Sequence, residues 1–260
     1  AWSTIRRVFP QQNGCRKRCL YLGCNMGNEA NVGKVLFFDA GPVITLVTSR
    51  LAWILPALQK QVQGKFYITP AVKFELVDRP LTVKRFEFEA LEVMKMIKEG
   101  ILQVYDKVPK KKVEELQSLA NSSFSIKGKT MDILQSGELE SLACTLETNA
   151  DAIVMDERTL RLFIENMAEL KNLLQTRFQS DVAADQAKMK AFVQMAKGVT
   201  IIRSIELVGV ALRMGLLKDF VPEGKEGKET LVDSVLWATK FNGCAVTEHE
   251  IDELKEVLVR

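Results

Sequence analysis

From residue 34 onward the chain alternates short apolar runs with longer stretches of helical period, and few folds accept that order. Strands of about four residues, each followed by a helix, call for a parallel sheet whose crossover helices cover both faces. Apolar runs at 35–38, 66–69, 102–105, 152–155 and 199–202 read as five such strands. Between them the spacing of apolar residues predicts helices at 42–47, 52–62, 70–77, 82–98, 110–120, 137–148 and 205–214. Pro70 suits the first turn of its helix, and Gly100 ends the long one. Phe86, Ala90, Val93 and Ile97 should share the buried face of that long helix, and Trp53 and Trp237 also fall on apolar faces.

Around this alternation the chain divides by composition. Residues 1–33 carry Arg6, Arg7, Arg16, Lys17 and Arg18 against Glu29, a net of +4. They show no periodicity and are expected to form a basic, loosely ordered extension. The whole chain is only +3, so the rest is close to neutral and any affinity for a polyanion must come from local patches. Residues 34–220 form the expected α/β unit. Within it, 165–197 are polar, of helical composition and without Pro or Gly, and read as a helical insertion. Residues 221–260 read as a helical extension, with a surface loop at 222–229 and helices at 230–241 and 247–258. Thr247 and Glu250 have the spacing of a capping box at the last helix.

Hydrophobic residues make up 47% of the sequence, enough for a sizeable core, yet no apolar run approaches the roughly 20 residues of a membrane span. A membrane is therefore not an expected partner. Five cysteines and no secretory pattern suit a reducing compartment, and a cytoplasmic location is expected. Cys15, Cys19 and Cys24 lack a nearby fourth ligand, which disfavours a zinc knuckle. Cys144 reads as a packed thiol and His249, the single histidine, as exposed and inert. No glycine-rich phosphate loop follows any strand, which weakens a nucleotide-binding reading.

Open parallel sheets bind ligands beyond the carboxyl ends of their strands, so polar residues just after strands carry most information. Asp39 follows the first strand and Asp156, with Glu157, follows the fourth. Glu75 lies on the helix after the second strand, and Glu138 in the first turn of the helix leading into the fourth. Glu140 is the competing choice on that turn. Any one of these acids alone would be read as a helix cap or turn residue. Four of them at corresponding places in the alternation point to a shared site. Crowded carboxylates repel one another, and a hard divalent cation such as Mg²⁺ or Mn²⁺ relieves that repulsion while supplying charge to phosphodiester chemistry.

The segments LFFDAGPVITL (36–46), TPAVKFELVDRP (69–80) and SGELESLACTLETNADAIVMDERTLR (136–161) together resemble the PIN-domain family. Each segment is only an acid in an apolar setting; their order and spacing carry the resemblance, over about 35–217. It implies a PIN-like fold of about five parallel strands flanked by helices, and Mg²⁺- or Mn²⁺-dependent hydrolysis of RNA. It implies that Asp39, Glu75, Glu138 and Asp156 are catalytic, with Asp39, Glu138, Asp156 and Glu157 available to the metal. Arg158 and Arg161, just past Asp156, are candidates for holding substrate phosphate. Lys107 and Lys110–Lys112 read better as a solvated helix start than as a phosphate track. The resemblance accommodates a toxin with an antitoxin partner, an RNA-processing enzyme, and a homo-oligomer. The additions to the minimal family pattern lean toward processing. The alternative is a non-catalytic RNA- or protein-binding module on the same fold, against which the four acids speak.

Overall fold

The computed structural model describes residues 8–9 and 33–259. The three N-terminal cysteines and nearly all of the expected basic extension lie outside the described residues. Val8 and Phe9, within that stretch, are buried against the main core.

The first half runs β1 (Val35–Phe38), α1 (Ala40–Thr48), α2 (Ile54–Val62), β2 (Lys65–Ile68) and α3 (Pro70–Lys73). It continues with α4 (Glu87–Lys98), β3 (Gln103–Val104), α5 (Lys110–Ser122), β4 (Phe124–Ile126), β5 (Lys129–Thr130) and α6 (Ser136–Thr148). The second half runs β6 (Ala152–Val154), α7 (Arg158–Glu165), α8 (Met167–Phe178), β7 (Ala183–Ala184), α9 (Gln186–Met195) and β8 (Ile201–Ile202). The last elements are α10 (Ser204–Arg213), α11 (Gly227–Phe241) and α12 (Glu248–Val259). Five strands pair in parallel in the order β3-β2-β1-β6-β8, as the alternation requires, so the chain has the α/β architecture of five parallel strands that the resemblance implies.

Both faces of this sheet are buried. Leu36, Phe38, Ala152 and Val154 face one core with α1, α2 and α10. Ile153 and Met155, pointing the opposite way by strand alternation, face a second core with α5 to α9. Phe163 stacks on Phe192 in that second core at 4.2 Å between ring centres and meets Phe124 edge-on. A third, smaller core joins Ile205 of α10 to Val232, Leu236, Ile251 and Leu254 of the last two helices.

Three departures from the sequence reading have physical causes. The helix expected at 82–98 begins only at Glu87: Pro80 lacks a backbone donor and Val83 is extended, so two 3₁₀ turns, Pro80–Thr82 and Lys84–Phe86, precede it. Phe86 consequently leaves the buried stripe and is 44% exposed. Trp53 is 45% exposed and stacks on Phe220, because it precedes α2 and does not share the inward face of Ile54, Leu55 and Leu58. A second sheet, antiparallel in the order β5-β4-β7, was not read at all. Its strands are two or three residues long, too short to show alternation, and Ala183–Ala184 lies inside the stretch expected to be purely helical.

The stacked second core should carry much of the stability. Phe163→Ala is expected to lower the unfolding free energy by about 3–5 kcal/mol in urea titration. Phe88→Ala, at a side chain that is 70% exposed, should change it by less than about 0.5 kcal/mol. Equal losses in the two variants would contradict this assignment of the core.

Candidate functional site

Register decides where the acids stand. Phe38 lies opposite Val154, and the Asp39 N–H extends the ladder by donating to Val154 O at 2.9 Å. Asp39 and Asp156 thus leave the sheet at neighbouring carboxyl ends. Asp39 is also the N-cap of α1, its Oδ2 accepting from the Gly41 N–H. An oxygen acceptor is what a helix start selects, so local structure and site placement agree on one residue.

Two further acids come to the same place. Past Lys73, α3 continues as a π-helical turn, Phe74–Asp78, a geometry that recurs at functional sites, and this turn carries Glu75. Glu138 is buried in the first turn of α6, where its Oε2 accepts from the Gln135 N–H at 3.0 Å in a capping box. Between them sits Gly137. A Cβ at that position would stand 3.1 Å from Glu75 Oε1 and 3.6 Å from Asp39 Oδ1. The missing side chain therefore leaves a small space onto which two carboxylate oxygens open. Glu140 is engaged elsewhere, its Oε2 accepting from the Ala71 N–H at 3.1 Å.

The electrostatics follow from burial and crowding. Burial pushes Asp39 up to about 7; the Ala40 and Gly41 N–H groups offset part of this, while Glu75 and Asp156 add to it. Burial likewise pushes Glu138 up to about 8 against its bond from Gln135, with Asp39, Glu157 and Glu75 adding repulsion. Glu75, half-buried, is raised by burial, lowered in part by Arg79 and raised again by Glu140.

Asp156 is buried too, and held by three donors. Its Oδ1 accepts from the Ser204 N–H at 2.7 Å; its Oδ2 accepts from Ser204 Oγ at 2.7 Å and Thr45 Oγ at 2.9 Å. A carboxylate offers about four lone-pair sites, so among the described residues one, on Oδ1, is left. Glu157 caps α7, accepting from the Thr159 and Leu160 N–H groups and from Thr159 Oγ.

Arg158 pairs with Glu169, and Arg161 Nη1 lies 3.5 Å from Glu250. Both arginines line a cleft of about 460 Å³ between α7, the start of α8 and residues 245–250. Lys112 pairs with Glu147 at 2.6 Å. Cys144 is buried and its thiol is pushed up to about 12 by burial, so it is packed and not ionised. His249 is exposed and 3.5 Å from Glu253. Among the described residues, no three carboxylate, imidazole or thiol groups are close enough together to ligate one ion directly.

The two hydroxyls on Asp156 were not found from sequence. Thr45 reads as helix packing, and nothing local distinguishes it. Ser204 had a signal: it stands two residues past β8, as Asp156 stands two past β6.

A family model described as a PIN domain matches residues 35–173, just over half of the chain. No curated protein and no solved structure matches it.

Raised carboxyl groups link the site to stability. A group whose folded pKa exceeds its unfolded value stabilises the fold below the unfolded pKa and loses that contribution as pH rises through the folded one. For Asp39 the window runs from 3.8 to about 7, and for Glu138 from 4.5 to about 8. Glu250, which the Thr247 N–H and Arg203 bring down to about 2 against the opposing effect of burial, matters only on the acid side of that window. In EDTA the protein should therefore be less stable to urea at about pH 8 than at about pH 5, and Asp39→Asn with Glu138→Gln should flatten the difference. A wild-type protein that gains stability over the same interval would contradict the account.

Proposed function

The chain belongs to the PIN-domain family, whose fold is of the nuclease type, and on that premise we propose that it is a divalent-metal-dependent endoribonuclease. The observation that carries the proposal is the gathering of buried Asp39 and Glu138 with half-buried Glu75 around Gly137, with the two buried acids pushed up to about 7 and 8. A fold that served only itself would replace such groups with neutral ones, because their burial costs stability and, among the described residues, is matched by no ion pair within 4 Å.

The donor set fits Mg²⁺ or Mn²⁺. Every donor is a carboxylate oxygen, hard and anionic, and such ions are held by one or two protein carboxylates while keeping several waters. That suits a pocket in which, among the described residues, no three side chains converge tightly enough for direct ligation. Asp39 and Glu138 would hold the ion most directly, with Asp156 and Glu157 contributing through water. When bound, the ion supplies charge neutralisation at the scissile phosphate and Lewis acidity toward water.

The chain's own residues supply the rest. Asp39, capped onto α1 and paired into the sheet, fixes the position of the site. Glu75 is half-buried, with its Oε1 against the space at Gly137, where it would accept a proton from an attacking water. Arg158 and Arg161 would meet RNA phosphates on the far side of Glu157, which requires their pairs with Glu169 and Glu250 to open. The additional helices outside the matched segment favour a processing role over that of a minimal toxin. An antitoxin-like partner and a second copy of the chain belong to the same proposal as things to look for.

The test is incubation of a mixed pool of single-stranded and structured RNA with Mn²⁺, with EDTA, and with the Asp39→Asn variant. Cleavage should need Mn²⁺ and fall by at least about 100-fold in the variant, the loss typical of a group acting at the transition state. RNA that is bound equally with and without EDTA, and never cut, would favour a binding module instead.

A further inference from the structure

The grip on Asp156 comes largely from chain beyond the matched segment. Ser204 begins α10, and the loop between α11 and α12 stands behind both hydroxyls that hold the carboxylate. Gly243 has φ +131, and a Cβ there would lie 3.1 Å from Thr45 Oγ. Cys244, buried, has its thiol against the Ser204 hydroxyl and the Ile205 N–H. Just before Ser204, buried Arg203 gives Nε and Nη2 to Glu206 Oε1 at 3.2 and 2.9 Å. It gives Nη1 to Glu250 Oε1 at 2.7 Å and to Ala245 O at 3.5 Å. Glu250 is itself fixed by the Thr247 N–H at 2.8 Å and Thr247 Oγ at 2.9 Å.

Thr45 shows what this backing does. A helical threonine commonly turns its hydroxyl to its own helix, to the carbonyl four residues back. Thr48 on the same helix does so to Ile44, and Thr145 and Thr239 do so to Ser141 and Val235. Thr45 instead donates across to Asp156, with the Gly243 backbone closing the space beside its oxygen. The apolar contacts of Val232, Leu236 and Ile251 with Ile205 already attach the last two helices. Attachment alone does not call for a glycine against one hydroxyl of the Asp156 cage and a thiol against the other.

We infer that Gly243 and Glu250 are positioning residues of the active site: the α11–α12 loop, locked by the Arg203–Glu250 pair, orients Asp156 through Thr45 and Ser204. The inference rests on the proposed metal-dependent reading, in which the one open lone-pair site of Asp156 faces a cation or its water. Partners that orient ligating carboxylates typically change metal affinity by 10–100-fold, far more than a surface helix would.

The experiment measures Mn²⁺ affinity of the full chain by electron paramagnetic resonance of the free ion, alongside cleavage of a fluorescent RNA. Thr45→Val and Gly243→Ala should each weaken Mn²⁺ binding by roughly 10–100-fold. The double variant should be no worse than Thr45→Val alone, because both act through one hydroxyl, and Thr45→Ser, which keeps that hydroxyl, should bind as wild type does. Glu250→Gln leaves the loop sequence intact and guards against a Gly243→Ala protein that does not fold; it should weaken Mn²⁺ binding by about tenfold with an unchanged circular dichroism spectrum. Wild-type affinity in folded Glu250→Gln, or additive losses in the Thr45–Gly243 pair, would overturn the inference and leave the nuclease proposal standing. A wild-type chain that binds no Mn²⁺ would overturn both.

Discussion

The parallel pairing of β1 with β6 sets everything that follows. With Phe38 opposite Val154, Asp39 and Asp156 emerge at adjacent strand ends, and the Asp39 amide is consumed by the ladder itself. A slip of one residue would turn Leu36 and Phe38 out of the main core and carry Asp39 out of step with Asp156, so register, packing and site are fixed together. The same edge receives α6 and the π-helical turn after α3, which bring Glu138 and Glu75 to the space that Gly137 leaves open.

The cost of this arrangement is visible in the acids themselves. Asp39 and Glu138 are buried among like charges, and each is held above the usual carboxylate range for that reason. Asp156 is treated differently: three donors surround it, so its position is fixed by hydrogen bonds. The contrast divides the pocket into a crowded half, suited to a cation, and a braced half that sets its geometry. Local rules of stability are broken in the first half and satisfied in the second, which is where departures from them are expected in a working site.

The sheet was legible because each of its five strands is followed by a helix, so apolar runs such as Val35–Phe38 alternate with stretches of helical period. The acids were legible because each stands at a strand end or helix start. What escaped has a common cause: it depends on partners distant in sequence. The short antiparallel sheet exists because Phe124 meets Ala184, sixty residues on. Thr45 is an ordinary helical threonine until Asp156, 111 residues away, accepts its hydroxyl. Arg158 and Arg161 were read for their charge, and their partners Glu169 and Glu250 became visible only once α7 was packed.

If these carboxylates gather to hold a divalent cation, anomalous diffraction from crystals soaked in Mn²⁺ will locate it. An anomalous peak is expected beside Asp39 and Glu138, over Gly137 and within one water of Asp156. A well-ordered pocket with no peak, or a peak only elsewhere on the molecule, would contradict it.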